Sequence, residues 1–355
     1  MVDGPGGGGS QPLNDALALI APGTALREGL DRVLQAKHGA LIVVGDSPAV
    51  LSICTGGFLL DAEYTPQRLS ELAKMDGAII LAPDASRIAR ANVHLVPKAS
   101  IPTSETGTRH RTAERVARSI DVPVVAVSEA MATIAVYRND RKHTTQTAGW
   151  LIDRSSQALS TLQRFRSRYD DALSTLTRLE MEDSVSVRDV VSVLQPGEMV
   201  RRIAVEIEGH LVELGSDGRL IRLQTEELSA GVEESLTLAL LDYTDEKGIA
   251  RLRSLEADSL MDLPSVVGAL NLPSSSDELH AALAPHGYRM LHRLPQQLSE
   301  TLINRLVQRF GSLPEILSAS AAELESVDGI GAATARHIRD GLARLVEASI
   351  FERYE

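Results

Sequence analysis

The sequence predicts a chain in three parts: an α/β domain with a mixed sheet and flanking helices, then an all-α spine, then a small all-α module. Three observations carry this. Short β-rich runs alternate with helical patterns from Asp15 to about Tyr137. From Thr144 to about Pro285 the strand alternation fades and apolar residues recur at helical spacing, as in Leu159, Leu162, Tyr169, Leu173 and Leu176. Residues 286–355 hold short helical patterns joined by glycines. The boundaries read as a flexible, glycine-rich tail over 1–14, the α/β domain over 15–140, the helical spine over 141–285 and the last module over 286–355. A length of 355 residues fits several cores better than one.

In the α/β domain, residues 40–44, 78–81, 93–96, 123–127 and 133–137 read as strands. Thr65 as N-cap with Pro66 at the first helical position starts a helix that runs to about Lys74. A second helix starts near Thr108: Ala113, Val116, Ala117 and Ile120 form its apolar stripe, while Arg111, Arg115 and Arg118 fall on another face. In the last module Leu302, Leu306 and Phe310 mark a helix ended by Gly311. Another helix closes near Leu324, and Ala335, Ile338, Leu342 and Leu345 line one that follows Gly331.

Composition narrows the function. A net charge of −12 and a pI near 5.3 exclude wholesale coating of nucleic acid or an anionic membrane, so any nucleic-acid contact is local. The acidic excess falls mainly in 141–285, away from both candidate functional ends. A single cysteine, Cys54, rules out an intramolecular disulfide framework and a multi-cysteine zinc site, which fits a reducing cytoplasm. The apolar runs are far shorter than the roughly 20 residues that span a bilayer, and the segment around Gly6 to Gly9 does not read as a signal peptide.

Two strings stand out: Asp76-Gly77-Ala78 at the start of a strand, and Gly107-Thr108-Arg109-His110-Arg111-Thr112-Ala113-Glu114 at the start of a helix. A helix N-terminus offers unpaired N–H groups and a positive dipole end to phosphate oxygens. Thr108 and Thr112 add hydroxyls, Arg109 and Arg111 add guanidinium forks, and His110 offers a donor to phosphate. Asp76 is the carboxylate suited to bridge Mg²⁺ or Mn²⁺ to substrate phosphates, and Gly77 leaves room for a base or sugar to approach the backbone.

These two strings, with Leu69-Ser70-Glu71-Leu72-Ala73-Lys74-Met75 ahead of Asp76, closely resemble the diadenylate cyclase family. The resemblance extends over essentially the whole chain, the glycine-rich tail excepted, to those members that carry a C-terminal helix-hairpin-helix domain. It implies that two ATP molecules condense to cyclic di-AMP. Asp76 to Ala78 would serve the metal and the ribose 3′-hydroxyl, and Arg109, His110 and Arg111 the triphosphate. Gly77, Leu95, Thr108, Thr112 and Ser128 would line the ATP pocket. The resemblance also implies a homo-octamer of two stacked tetramers with cyclase domains face to face, each protomer bringing one ATP. Whether Asp76 holds the metal, accepts the 3′-hydroxyl proton or does both stays open.

Val327-Asp328-Gly329-Ile330-Gly331, between two helical patterns, resembles the hairpin of a helix-hairpin-helix motif, whose backbone amides hold DNA phosphate without reading bases. Gly329, Ile330 and Gly331 are the candidate contacts, with Arg336 and Arg339 reaching adjacent phosphates. Asp328 stands where many such hairpins have proline, and the module is not basic; shape-selective binding of branched DNA such as Holliday junctions, aided by many copies, fits better than tight binding to plain duplex. The expected function is a cyclase regulated by DNA occupancy, in the cytoplasm and on the nucleoid when bound. The alternative is a DNA-structure-binding scaffold whose N-terminal domain holds nucleotide without turning it over. A P-loop hydrolase is disfavoured, because no G-x-x-x-x-G-K-[ST] string occurs.

Overall fold

Helix formation begins earlier than the composition suggested. In this computed structural model, which describes residues 11–273, 278–280 and 282–351, α1 (Gln11–Leu19) occupies part of the stretch expected to be a tail. Its Ala16 and Leu17 are buried, so this segment is held by the core; Gly6 to Gly9 lie outside the described residues. Helix α2 (Ala25–Gln35) follows, capped by the Thr24 hydroxyl, which accepts from the Arg27 amide at 3.1 Å.

The sheet has eight strands: β1 (Ala40–Val44), β2 (Cys54–Thr55), β3 (Phe58–Glu63), β4 (Ala78–Leu81), β5 (Arg87–Leu95), β6 (Val124–Ser128), β7 (Thr133–Arg138) and β8 (Arg141–Thr144). They run β2-β5-β4-β1-β6-β7-β8, with β3 also on β5. Only β1 and β4 pair in parallel; the other pairings are antiparallel, so the sheet is mixed as expected. Every residue of β1 and β4 is buried because both faces are covered. Ile42, Val44, Ile79 and Leu81 face α1, α2 and α4 (Pro66–Leu72), while Leu41, Val43 and Ile80 face α5 (Thr108–Ser119). The short α3 (Pro48–Ser52) follows β1.

The strand expected at 93–96 is the end of the longer β5, whose Arg87 and Arg90 hid its start. Strands β2, β3 and β8 were not foreseen. Strand β3 is exposed along nearly its whole length, so no alternation marks it. A two-residue turn, Asn139-Asp140, pairs Arg138 with Arg141, and Asn139 takes φ 52°.

Helices α6 (Ala148–Met181) and α7 (Val187–Leu214) are followed by α8 (Arg219–Ser229), α9 (Val232–Tyr243), α10 (Glu246–Ser254), α11 (Ala257–Leu260) and α12 (Leu263–Leu270). Then come α13 (Tyr288–His292), α14 (Glu300–Phe310), α15 (Leu313–Ser318), α16 (Ala321–Glu325) and α17 (Ala332–Phe351). The chain divides into two compact units. One comprises the described residues up to Gln157 with Ile207–Leu223, the other Ala158–Glu206 with the described residues from Gln224 on. The division therefore falls inside α6 and α7. The last helices share a unit with the preceding ones because Met181 of α6 packs on their core and Asp242 of α9 caps α13.

Candidate active site

One end of the sheet gathers the predicted site residues, and the strand pairings fix which end it is. Strands β1 and β4 start there, while antiparallel β5 and β6 finish there: Ala40 pairs with Val127 and Ala78 with Val93. Gly39, Asp76-Gly77, Leu95 and Ser128 therefore share one edge. The N-terminus of α5 joins it through Arg109, whose Nη2 donates to Asp76 Oδ1 at 2.8 Å. The Asp76 side chain is 97% exposed, so the carboxylate stands out from the edge.

The backbone on which Asp76 rides has a specific cause. Asn92 in β5 adopts φ 54°, and the β4–β5 register shifts between Ala78 and Ile80, a bulge that brings the Asn92 backbone against Gly77. A Cβ on Gly77 would overlap Asn92. The close approach that glycine permits here is that of the neighbouring strand. Gly77→Ala is expected to destabilise the protein by about 2 kcal/mol or more; an unchanged denaturation midpoint would refute this steric account.

Arg109 lies across Gly39, where a Cβ would overlap its guanidinium and sit 3.3 Å from the Val127 carbonyl oxygen. No local pattern marks Gly39, since only the fold brings it beneath Arg109. Thr108 and Arg111 are exposed at the helix start, and the Arg111 amide donates to Gly107 O at 2.9 Å. The Thr112 hydroxyl donates to Thr108 O at 2.9 Å, which leaves its oxygen lone pairs as acceptors. Leu95 is 5% exposed within the core, which leaves its backbone, not its side chain, for a ligand. Ser128 Oγ accepts from the Met131 amide at 3.3 Å.

His110 turns toward Tyr137, ring centroids 6.4 Å apart and edge to face. Burial first, then the charges of Lys142 and Arg109, hold its pKa below the ordinary value, while Glu105 pulls the other way. It is therefore neutral at pH 7 and offers one N–H and one lone pair. Glu105 accepts from Tyr137 Oη at 3.0 Å and Lys142 Nζ at 2.7 Å. Burial pushes its pKa up, but these two hydrogen bonds outweigh it and leave the carboxyl below its usual range. Glu105, Tyr137 and Lys142 escaped the sequence reading because they come from a loop and two strands far apart in the chain.

A divalent cation fits this edge only in part through the protein. Among the described residues no three His, Cys, Asp or Glu side chains cluster. Asp76 supplies one hard oxygen donor, and a bound ion would take its other ligands from phosphates and water.

The hairpin expected in the last module lies between α16 and α17. Gly329 adopts φ 90°, a conformation that favours glycine. Ile330 is buried at 4%, and its amide donates to Val327 O at 3.0 Å. Ile330 thus anchors the hairpin from within, its side chain buried and its amide engaged by Val327 O. Among the described residues no backbone carbonyl takes the Gly329 or Gly331 amide. Arg305 holds the turn from α14, donating to Asp328 O at 2.7 Å and meeting its carboxylate at 3.1 Å. Arg336 and Arg339 are exposed on α17.

Residues 27–142 match the family described as DisA bacterial checkpoint controller nucleotide-binding, and residues 146–279 match the DisA bacterial checkpoint controller linker region. Relatives named DNA integrity scanning protein DisA include one from Frankia casuarinae, 48% identical over 95% of this chain and 96% of its own. Another, from Kineococcus radiotolerans, is 49% identical over 96% of this chain and 97% of its own. A third, from Streptomyces coelicolor, is 47% identical over 96% and 93%. Two solved structures resemble part of the chain. One is a hypothetical membrane spanning protein from Bacillus cereus, with 26% identity, 35% of this chain, 62% of that one and TM-score 0.31. The other is a double mutant of DacA from Staphylococcus aureus, with 23% identity, 39% of this chain, 85% of that one and TM-score 0.28. No helix among the described residues is long and apolar enough to cross a membrane.

Proposed function

The chain belongs to the DisA family, and from that premise we propose that it condenses two ATP molecules into cyclic di-AMP and two pyrophosphates. The observation that carries the reading is the shape of the site. Asp76, Arg109 and the first turn of α5 meet at an edge where the Asp76 carboxylate faces outward. Phosphate has a cradle of amides and guanidinium on this chain, while the reacting 3′-oxygen must come from a second ATP held opposite.

In each half reaction a ribose 3′-hydroxyl gives its proton to Asp76 or to solvent water, and its oxygen bonds to the α-phosphorus of the other ATP. The bond from that phosphorus to the bridging oxygen breaks, and pyrophosphate leaves with the electron pair. The second, symmetric transfer closes the ring. Arg109 and the amides of α5 neutralise the developing phosphate charge, Arg111 reaches the outer phosphates, and neutral His110 donates one hydrogen bond. Asp76 would hold Mg²⁺ or Mn²⁺, which supplies Lewis acidity at phosphate oxygens.

Facing sites require more than one copy, and an octamer of two stacked tetramers would provide them. The exposed amides of Gly329 and Gly331, with Arg336 and Arg339, support binding of branched DNA such as Holliday junctions as the regulatory input. The protein would then act in the cytoplasm and on the nucleoid.

The direct test is product chromatography with mass detection after incubating protein, ATP and either metal. The parent is expected to give cyclic di-AMP. Asp76→Asn is expected to give less than about 1% of it, with folding and oligomeric state unchanged because the side chain is exposed. A folded, oligomeric parent yielding no cyclic product with either metal would instead favour a DNA-binding scaffold.

A further inference from the structure

Gly107, the N-cap of α5, has no side chain with which to cap the helix, and no cap hydrogen bond is made there. A Ser or Asp at that position would bind the amide of the second or third helical residue. It would thereby consume a donor that a triphosphate needs. The helix end stays open to a ligand, but it also lacks the usual lock on its position.

A lock comes from outside the helix. Glu114, two turns into α5, is 8% exposed and turned toward the loop that leads into Gly107. Its carboxylate accepts from the Thr103 hydroxyl and from the Ser104 amide at 3.0 Å, with the Ser104 hydroxyl at 3.4 Å. Arg118 stands 3.0 Å from the same carboxylate and donates to Pro102 O at 2.6 Å. Arg115 Nε donates to Ile101 O at 3.0 Å. The far end of the loop is tied to the sheet, where Glu105 meets Tyr137 of β7 and Lys142 of β8. A buried carboxylate with this many donors is held in place, because freeing it leaves charge unpaired away from water.

We propose that residues 101–105 form a strap that fixes the phosphate-facing end of α5, and that Glu114 is its anchor, a positioning residue for the nucleotide site. This rests on the nucleotide reading above. Glu114 touches no substrate; it acts by holding the amides of Thr108 to His110 and the root of Arg109 where the phosphates must lie. The outward arginines of α5 divide accordingly: Arg109 and Arg111 serve the open end, while Arg115 and Arg118 hold the strap.

The test uses the full chain, Mg²⁺ and an ATP analogue with a methylene bridge between the α- and β-phosphates, which binds without turnover. Parent protein is checked first for analogue binding by calorimetry and for cyclic product from ATP; a parent that binds no analogue refutes the nucleotide reading itself. Given a competent parent, Glu114→Gln, which keeps the volume but loses the charge, is expected to weaken analogue binding about tenfold. It should raise KM for ATP by a similar factor, with kcat within about threefold. Thr103→Val leaves α5 intact and removes one strap donor, so it should shift KM in the same direction by less. The double variant should be no worse than Glu114→Gln alone, since both break one connection. Unchanged KM and analogue affinity in folded Glu114→Gln would overturn the strap, as would strictly additive effects. Should Glu114→Gln fail to fold, Thr103→Val decides: parent-like KM and affinity refute the proposal, and a raised KM upholds it.

Discussion

Arg109→Ala is expected to lower kcat/KM for cyclic di-AMP formation by about 10²–10³-fold without lowering the melting temperature. The guanidinium lies across Gly39, beside the Val127 carbonyl, and donates to Asp76 at 2.8 Å. It therefore joins the Asp76 carboxylate to the N-terminal end of α5. Removing one preorganised donor from charge that develops in a transition state typically costs about 3–4 kcal/mol. Little stability is at stake, because the Asp76 partner is almost fully exposed and such pairs contribute little to folding. Arg109→Lys should recover little activity, since a point charge lacks the planar fork that can hold Asp76 and still present N–H groups to phosphate. Gly39→Ala, which touches no substrate, should reproduce part of the loss by pushing the guanidinium aside. Steady-state kinetics and thermal denaturation on the same preparations decide the matter. Less than a tenfold change in kcat/KM would remove Arg109 from the chemistry, and a large drop in melting temperature would make it structural.

How much of this was legible depends on where each signal lives. Strands β1 and β4 are continuous apolar runs because they are covered on both faces, and such runs announce themselves. The Thr65-Pro66 helix start is a local capping pattern and stands where expected. By contrast β3 gives no alternation, because Phe58, Leu59 and Leu60 are exposed on it alongside Asp61 and Glu63, so apolar and polar residues share the outside. The site divides in the same way. Asp76 and Arg109 lie in two compact motifs, and their meeting across the sheet edge follows from strand order. Gly39, Glu105 and Tyr137 carry no local signature, since their roles exist only once β1, the loop before α5 and β7 stand side by side. Ile330, between two glycines, read as part of a binding surface. Its burial shows that an apolar residue in a tight hairpin is first an anchor.

The largest expected stability effect lies in the second unit, where Arg289→Met should destabilise the protein by about 3–5 kcal/mol. Arg289 is 3% exposed and its guanidinium is ion-paired with Glu180, itself 1% exposed, while also donating to Thr177 Oγ1 at 3.1 Å. Beside this pair Asp242 accepts from the amides of Gly287, Tyr288 and Arg289 at 2.7, 2.6 and 3.1 Å, capping α13. Burial, then the charge of Glu180, pushes the Asp242 pKa up to about 7, with the α13 amides and Arg289 pulling it down. Losing the arginine leaves two carboxylates in a dry site with Tyr243 Oη, 2.6 Å from Glu180, as the remaining side-chain donor to that acid. The folded-state pKa of Asp242 then rises further above its unfolded value near 4. The folded form thus holds protons that the unfolded form releases, and stability falls as pH rises from about 4 through 7. The deficit of Arg289→Met relative to the parent should therefore be larger at pH 8 than at pH 5. The double variant Arg289→Met with Glu180→Leu should recover most of it, because the one carboxylate left, Asp242, keeps its three α13 amides and loses its like-charged neighbour. Met290 and Leu291 of α13 share a core with Val327 and Ile330 of the hairpin, so junction-DNA affinity should fall and recover in parallel. Urea denaturation at both pH values settles the electrostatic account: a deficit equal at pH 5 and 8, or a double variant as unstable as the single one, would show that Arg289 contributes packing alone.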